Sequence, residues 1–374
     1  MALVRGPGLS IYEMQSYEPL LDGYDLQAFG LSQHAVDIDR MTIPFVKLRW
    51  SDSVSGRSIS NAYRARLKHQ RYYMPGLEAR LKGFALVHSA EITTTFSWQS
   101  AQAKKKTGAP LVITSTENIP FPRWDEPHGR KVKAEILSAA DVFFALTNEA
   151  RGVLIAEGVP ASKIRVIPFG IDLDRFRPQA ADAEWSKRFN VHGDDFVVLY
   201  VGRLVWEKGI FELVTACRGL VPKRLRVLVV GGGPEEAALK SYVRTIGVDK
   251  VVTFHSAIRY GDIQNVYRLA SVTVLPSIPA RGLREQFGLT LVESMACGVP
   301  VVATRCGSMP GVVGGAGLLA DPADSASLHD ALERLRSSSE LRSRHSALGR
   351  KIAEEKYDRR KVASMIDEAY QSLL

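Results

Sequence analysis

A repeating pattern in the second half of the chain narrows the fold more than any other feature. "FVVLYVG" (196–202) is an apolar, β-branched run closed by glycine, and "KGIFELVTACRGL" follows it. "LRVLVVGGGP" is likewise followed by "EEAALKSYVRTIG", and then come "KVVTFHS", "YGDIQNVYRLA", "SVTVLPS" and "VPVVAT". Short apolar runs without alternation read as strands buried on both faces. The stretches between them carry helical periodicity, and "EEAALKSYVRTIG" has an acidic start and a glycine stop. Strand–helix repeats joined by short turns build a doubly wound parallel sheet.

The first half repeats the theme less regularly. "YDLQAFG", "FALVHSAE", "PLVITSTEN", "DVFFALTN" and "IRVIPFGI" read as strands, and Ala2 to Val4 as a very short first strand before "GPGLS". The stretch 57–82 reads as mostly helix, interrupted at Met74-Pro75-Gly76. A chain of 374 residues exceeds one ordinary core. We therefore expect domains at 1–171 and 191–350, joined by a linker at 172–190 where "DLDRFRPQAADAEWSKRFN" breaks the pattern with proline and charges. The remainder, 351–374, ends in the helix "RRKVASMIDEAYQSLL" with no strand after it, and is expected to pack back toward the first domain.

Hydrophobic content of 45% with 24% charged residues fits a soluble globular chain. No apolar run reaches the roughly 18 residues a bilayer span needs, and "MALVRGPGLS" lacks the apolar core of a secretory signal. Cys217, Cys297 and Cys306 have no metal-ligand spacing and suit a reducing cytosol. The net charge of +9 implies an anionic partner. Much of the excess is local: Arg57, Arg64, Arg66, Lys68, Arg71, Arg80 and Lys82 are opposed nearby only by Glu78, and Lys104, Lys105 and Lys106 follow. A solvated helical face is one use of 57–82. Peripheral docking on anionic lipid at the inner face of the plasma membrane is another. Tyr63, Tyr72 and Tyr73 stand among these cations but form no recognised nucleic-acid motif, so no nucleic acid is expected as partner.

In open parallel sheets, ligands sit at the carboxyl ends of the strands, where amides and helix N-termini are free. Four such ends are polar or glycine-rich: "GPGLS", "TEN" (116–118), "GRLVWEKG" (202–209) and "REQFGL" (284–289). Arg203 and Lys208 are placed to neutralise a phosphate or diphosphate, unless both are ordinary loop charges. "VVGGGPEE" lacks the G-x-G-x-x-G spacing of a dinucleotide loop and reads as a tight turn. In "REQFGLTLVESMACGVPVVAT", Gly298 and Pro300 end a helix that should start near Gly288 or Leu289. Glu285 then lies in the loop before it and Glu293 about one turn inside. The amides of Phe287, Gly288 and Leu289 would point at whatever binds there, and Gly288 permits close approach. A nucleoside-diphosphate sugar, with hydroxyls at two separated positions and phosphate between, satisfies this arrangement. So does a plain loop glutamate with a second one favoured by the helix dipole.

From "VIPFGID" near Ile167 to "GGAGLLADP" at Leu319, the ordered set "YVGRLVWEKGI", "VLVVGGGP", "VTFHSAI", "VTVLPS" and "EQFGLTLVESMACGVPVVAT" resembles glycosyltransferase family 4. The resemblance implies the α/β GT-B fold: two Rossmann-like doubly wound domains facing across a cleft, an acceptor domain first and a donor domain second. It implies a retaining transferase that needs no metal or other cofactor and moves a hexose-type sugar from a nucleotide sugar to a hydroxyl of a glycan, lipid-linked glycan or small molecule. By the same resemblance Arg203 and Lys208 hold the diphosphate, Glu285 faces the sugar and Glu293 the ribose. Phe287, Gly288 and Leu289 supply backbone contacts, Ile258 and Arg259 cradle the base, and Gly6 and Gly8 approach the diphosphate. Glu285, Arg203 and Lys208 are thus the catalytic candidates. The family's histidine after "LVITS" is replaced by Thr116, with Glu117 and Asn118 next as acceptor-side or sugar-side candidates, and Gly311 stands where a glutamate is common. Two other readings use the same features: a non-hydrolysing epimerase of nucleotide sugars, and a non-enzymatic basic binding module.

Overall fold

The computed structural model describes residues 1–374 except 32–40, 50–71, 121–126, 221–223 and 281. It divides into two compact units, one of Met1–Gly170 with Arg359–Leu374 and one of Ile171–Asp358.

The first unit is built on β1 (Ala2–Gly6), β2 (Gln27–Leu31), β3 (Phe45–Leu48), β4 (Val87–Ala90), β5 (Leu111–Ser115), β6 (Val142–Ala145) and β7 (Ile164–Val166). Their order is β3-β2-β1-β4-β5-β6-β7, with every pair parallel. Alternation along β5 sends Leu111 and Ile113 to one face and Val112 to the other. The first face is covered by Phe96, Ala101 and Ala103 of the helix Thr95–Thr107. That helix starts where Thr94 accepts from the Ser97 amide and stops at Gly108, whose φ of 76° lets the chain turn away. The opposite face is covered by the last helix, Arg359–Gln371, through Val362, Ala363, Ile366, Ala369 and Tyr370.

The second unit carries β8 (Phe196–Val201), β9 (Leu225–Val230), β10 (Val252–His255), β11 (Val272–Leu275), β12 (Val301–Thr304) and β13 (Gly317–Ala320). These run in the order β10-β9-β8-β11-β12-β13, again all parallel. β8, β9, β11 and β12 are buried nearly end to end, as strands covered on both faces must be. Both sheets therefore have the Rossmann strand order, and in each the order reverses at the middle, between β1 and β4 and between β8 and β11.

Several details differ from the expectations drawn from sequence. β1 runs to Gly6, and β3 has no counterpart among the expected strands. The stretch 172–190 belongs to the second unit and carries a helix, Ala183–Phe189, capped by Asp182. The helix Ser339–Lys356 crosses the expected boundary at 350 and stays with the second unit, so the return to the first begins at Arg359. Of the region 57–82, residues 57–71 lie outside the described residues, and Leu77–Arg80 is helical. Cys217, Cys297 and Cys306 are buried free thiols. Among the described residues no helix is long and apolar enough to cross a membrane.

Candidate functional site

The two reversals of strand order are where each sheet leaves backbone groups open to a ligand, and the charged residues singled out above gather there. In the second unit β8 feeds Gly202, Arg203 and a single 3-10 turn, Trp206–Lys208. The Tyr200 hydroxyl donates to the Arg203 carbonyl at 2.6 Å and pins the start of this loop. Gly209 closes it with φ 64°, and a Cβ there would fall 1.9 Å from the Pro276 carbonyl oxygen. Only glycine lets the β8 loop pass so close to the end of β11. That passage carries Lys208 across the reversal.

Its ammonium reaches Glu285 Oε2 at 2.6 Å, and the Ser277 hydroxyl donates to the same oxygen at 2.8 Å. Ser277 is itself set by Thr304, whose hydroxyl donates to the Ser277 carbonyl at the end of β12. Lys208 and Glu285 keep 22% and 12% of their side-chain surface, so the pair is largely withdrawn from bulk water. Arg203 is mostly exposed, with Glu207 at 3.9 Å. The next helix, Leu289–Ala296, starts at Gly288 with φ 80° and places its N-terminus beside Glu285. The sequence reading of this segment, with Glu285 in the loop and Glu293 one turn into the helix, matches the structure.

Glu293 is only 3% exposed, and the Tyr267 hydroxyl donates to its Oε2 at 2.6 Å. Burial pushes its pKa up to about 7, while hydrogen bonds from Tyr267 and Tyr260 and the Arg175 charge pull the other way. The carboxyl proposed to meet a ribose is thus held inside its unit. Ile258 is half-buried in the loop after β10, and Arg259 is exposed and paired with Asp262 at 3.1 Å.

In the first unit, Gly6 ends β1 with φ 54°, and the Phe96 ring occupies the space a Cβ would need. Gly8 is exposed and its amide donates to the Arg5 carbonyl at 3.0 Å. Glu117 and Asn118 follow β5, and Glu117 is 9% exposed, with the Thr93 hydroxyl donating to it at 3.1 Å. The arrangement contains a residue absent from the sequence-derived candidates. Glu91, directly after β4, accepts from the Thr116 amide at 3.1 Å and from its hydroxyl at 2.5 Å. Burial and the neighbouring Glu117 raise Glu91 to about 8, and burial raises Glu117 to about 7. A search of every strand end for charge finds Glu91, since "FALVHSAE" reads as a strand. Ser277, Tyr267 and Arg175 give no such signal, because each meets its glutamate only through the fold.

Residues 181–352 match the family model described as glycosyl transferases group 1, and residues 34–175 match the one described as glycosyltransferase family 4. A D-inositol 3-phosphate glycosyltransferase of Acidothermus cellulolyticus is 34% identical over 255 residues, covering 62% of this chain and 56% of that protein. This chain thus spans little more than half the length of that relative. An enzyme of the same name from Thermobifida fusca is 30% identical over 306 residues, covering 74% of this chain and 69% of that one. Among solved structures, the Anabaena protein HepE in complex with UDP superimposes with a TM-score of 0.80 at 19% identity, with all of both chains covered.

Proposed function

Because this chain belongs to the group 1 glycosyltransferases, family 4, we propose that it transfers a hexose-type sugar from a nucleoside diphosphate to an acceptor hydroxyl. The observation that carries this reading is the Lys208–Glu285 pair at the β8/β11 reversal, beside the N-terminus of the helix Leu289–Ala296.

In the proposed complex, Lys208, Arg203 and that helix N-terminus face the diphosphate. The bond between the anomeric carbon and the phosphate oxygen breaks as the acceptor oxygen attaches, and negative charge gathers on the departing diphosphate. Fixed cations and amides aimed at that charge lower the barrier without a metal. Glu285, held by Ser277, orients sugar hydroxyls, while the ribose role of Glu293 rests on the family resemblance and requires its buried carboxyl to be uncovered. Backbone groups of Phe287, Gly288 and Leu289 contact sugar and phosphate, and Ile258 and Arg259 line the base. The acceptor proton passes to the departing phosphate oxygen on the same face of the sugar, which retains the anomeric configuration. The roles of Gly6 and Gly8 rest on the family resemblance alone.

UDP-sugars are the first donors to try, because HepE was solved with UDP. Ligand-observed NMR with UDP- and GDP-sugars should show saturable binding that Lys208→Ala weakens at least tenfold. Wild-type protein that binds neither class would refute the reading. Incubation with donor alone separates the epimerase, which would accumulate an isomeric sugar nucleotide. Peripheral membrane contact through 57–82 is part of the proposal. Of that stretch the structure describes Arg80 and Lys82, both exposed. Cosedimentation with anionic vesicles that does not weaken with salt, or does not occur, removes it.

A further inference from the structure

Beside the reversal of the first sheet stand two carboxyls that the proposed donor chemistry does not use. Glu91 follows β4 and Glu117 follows β5, its neighbour in the sheet. Each is fastened through one oxygen: Thr116 donates twice to Glu91 Oε1, and Thr93 donates to Glu117 Oε1. Fastening of this kind fixes direction while leaving the second oxygen for something else.

That second oxygen of Glu91, Oε2, is enclosed and has no hydrogen-bond partner. Ser115, the last residue of β5, is fully buried, and its hydroxyl also has none. It lies on the strand face it shares with Ile113, the face under the helix Thr95–Thr107. Ser10, in the loop after β1, is 1% exposed with an equally unmet hydroxyl. Folded proteins satisfy nearly all buried polar groups, so unmet ones just after β4, on the last residue of β5 and in the loop after β1, three adjacent strands, are groups that polar atoms of a ligand would complete.

The charges around the pair decide what that ligand is. Arg5 is spent on Glu13 at 2.6 Å, on the Tyr17 hydroxyl and on the His88 carbonyl. Lys133 is spent on Glu157 at 2.6 Å. Glu13 and Glu157 add negative potential at Glu91 and Glu117 respectively, and Lys133 opposes it at Glu117. Among the described residues, an anion placed here would meet acids whose nearby cations are already paired.

We propose that Glu91 and Glu117 read the acceptor as an uncharged polyol, gripping two neighbouring hydroxyls of a sugar or cyclitol and turning away a phosphorylated group. The two carboxyls titrate around neutrality, so near pH 7 the pair retains a proton and offers both a donor and an acceptor. Two adjacent hydroxyls supply the complement, one accepting from the protonated carboxyl and one donating to the carboxylate. The inference rests on the transferase reading given above and adds the acceptor's chemistry to it.

The test is binding to the full-length chain saturated with UDP, measured by saturation-transfer NMR with myo-inositol, methyl glucoside and inositol 3-phosphate as probes. At least one neutral probe should bind, with inositol 3-phosphate at least tenfold weaker. Glu117→Gln and Glu91→Gln, close in shape, should each weaken the neutral probe about tenfold and narrow its advantage over the phosphate. Thr93→Val, which unfastens Glu117 without altering charge, should weaken the neutral probe alone. A phosphorylated probe that binds as well as the neutral ones, no binding by either neutral probe, or unchanged affinity in both glutamine variants overturns the proposal. UDP binding in the same samples keeps the two readings apart: if it persists while polyol binding fails, only this inference falls, and if it is lost in the wild type, the transferase reading falls as well.

Discussion

Lys208 and Glu285 form one unit, and in the proposed reaction their value lies in what a diphosphate would change. Alone, the ammonium sits 2.6 Å from the carboxylate and neutralises it. On the proposed reading, a diphosphate gives the same ammonium a better-charged partner and frees the carboxylate for sugar hydroxyls. Removing one preorganised donor from such a site typically lowers the rate by about 10²–10³. Lys208→Ala and Glu285→Ala should each reach that range in kcat/KM, with far-UV circular dichroism unchanged, and near-normal turnover in both would remove their assignment. Glu293 makes a different prediction. Its folded pKa of about 7 lies above the usual carboxylate value, so the folded state binds the extra proton more tightly than the unfolded chain does. Its contribution to stability is complete below about pH 4.5 and is lost as pH rises through 7. A tenfold difference in proton affinity between the two states is worth about 1.4 kcal/mol, which caps the loss at about 3 kcal/mol. Glu293→Gln should flatten that part of the curve in urea melts taken from pH 5 to 8. An identical slope in variant and wild type would contradict it.

At the scale of elements, the last helix and the strand ends behave differently. The helix Arg359–Gln371 inserts Tyr370 into the first unit, where its hydroxyl meets His88 Nδ1 at 2.6 Å and His88 Nε2 meets the Thr114 hydroxyl at 2.7 Å. Burial and the nearby Arg5 charge push the His88 pKa well down, so the ring is neutral there. Tyr370→Phe strands one ring nitrogen in the core and should cost about 1–3 kcal/mol, read as a lower urea midpoint. An unchanged midpoint would mean the contact carries no stability. Elements whose signal is local are legible in the sequence. Gly288, Gly298 and Pro300 place the helix beginning at Leu289, and unbroken apolar runs place the strands of the second unit. β3 escapes such a reading because it pairs on one side only and sets Lys47 outward, which breaks any apolar run. Glu91 is visible as a charge at a strand end, but its hold by Thr116 is not, because the two become neighbours only after β4 and β5 pair. The helix Ala183–Phe189 is hidden because proline and charge upstream of it mask a clear Asp182 cap.

At the scale of the molecule, the two units share a strand order but differ in the side chains near their reversal points, where Lys208 of the second also meets Glu285. The second presents Lys208 and Arg203, and the first presents Glu91 and Glu117. On the proposed reading, that division sends the anionic donor to the second unit and the uncharged acceptor to the first. If fixed cations stabilise the leaving group as proposed, turnover should be unchanged in excess EDTA, whereas loss of activity restored by magnesium would require a metal-bound diphosphate.

The chain enters the second unit at Ile171 and leaves it at Asp358, and these ends are joined, the Ile171 amide donating to the Tyr357 carbonyl at 2.6 Å. The second unit is therefore one uninterrupted stretch, while the first waits for residues 359–374 to complete its core. During synthesis, the later-encoded unit is free to close first, and the earlier-encoded one must stand with an open apolar face until residues 359–374 have emerged to cover it.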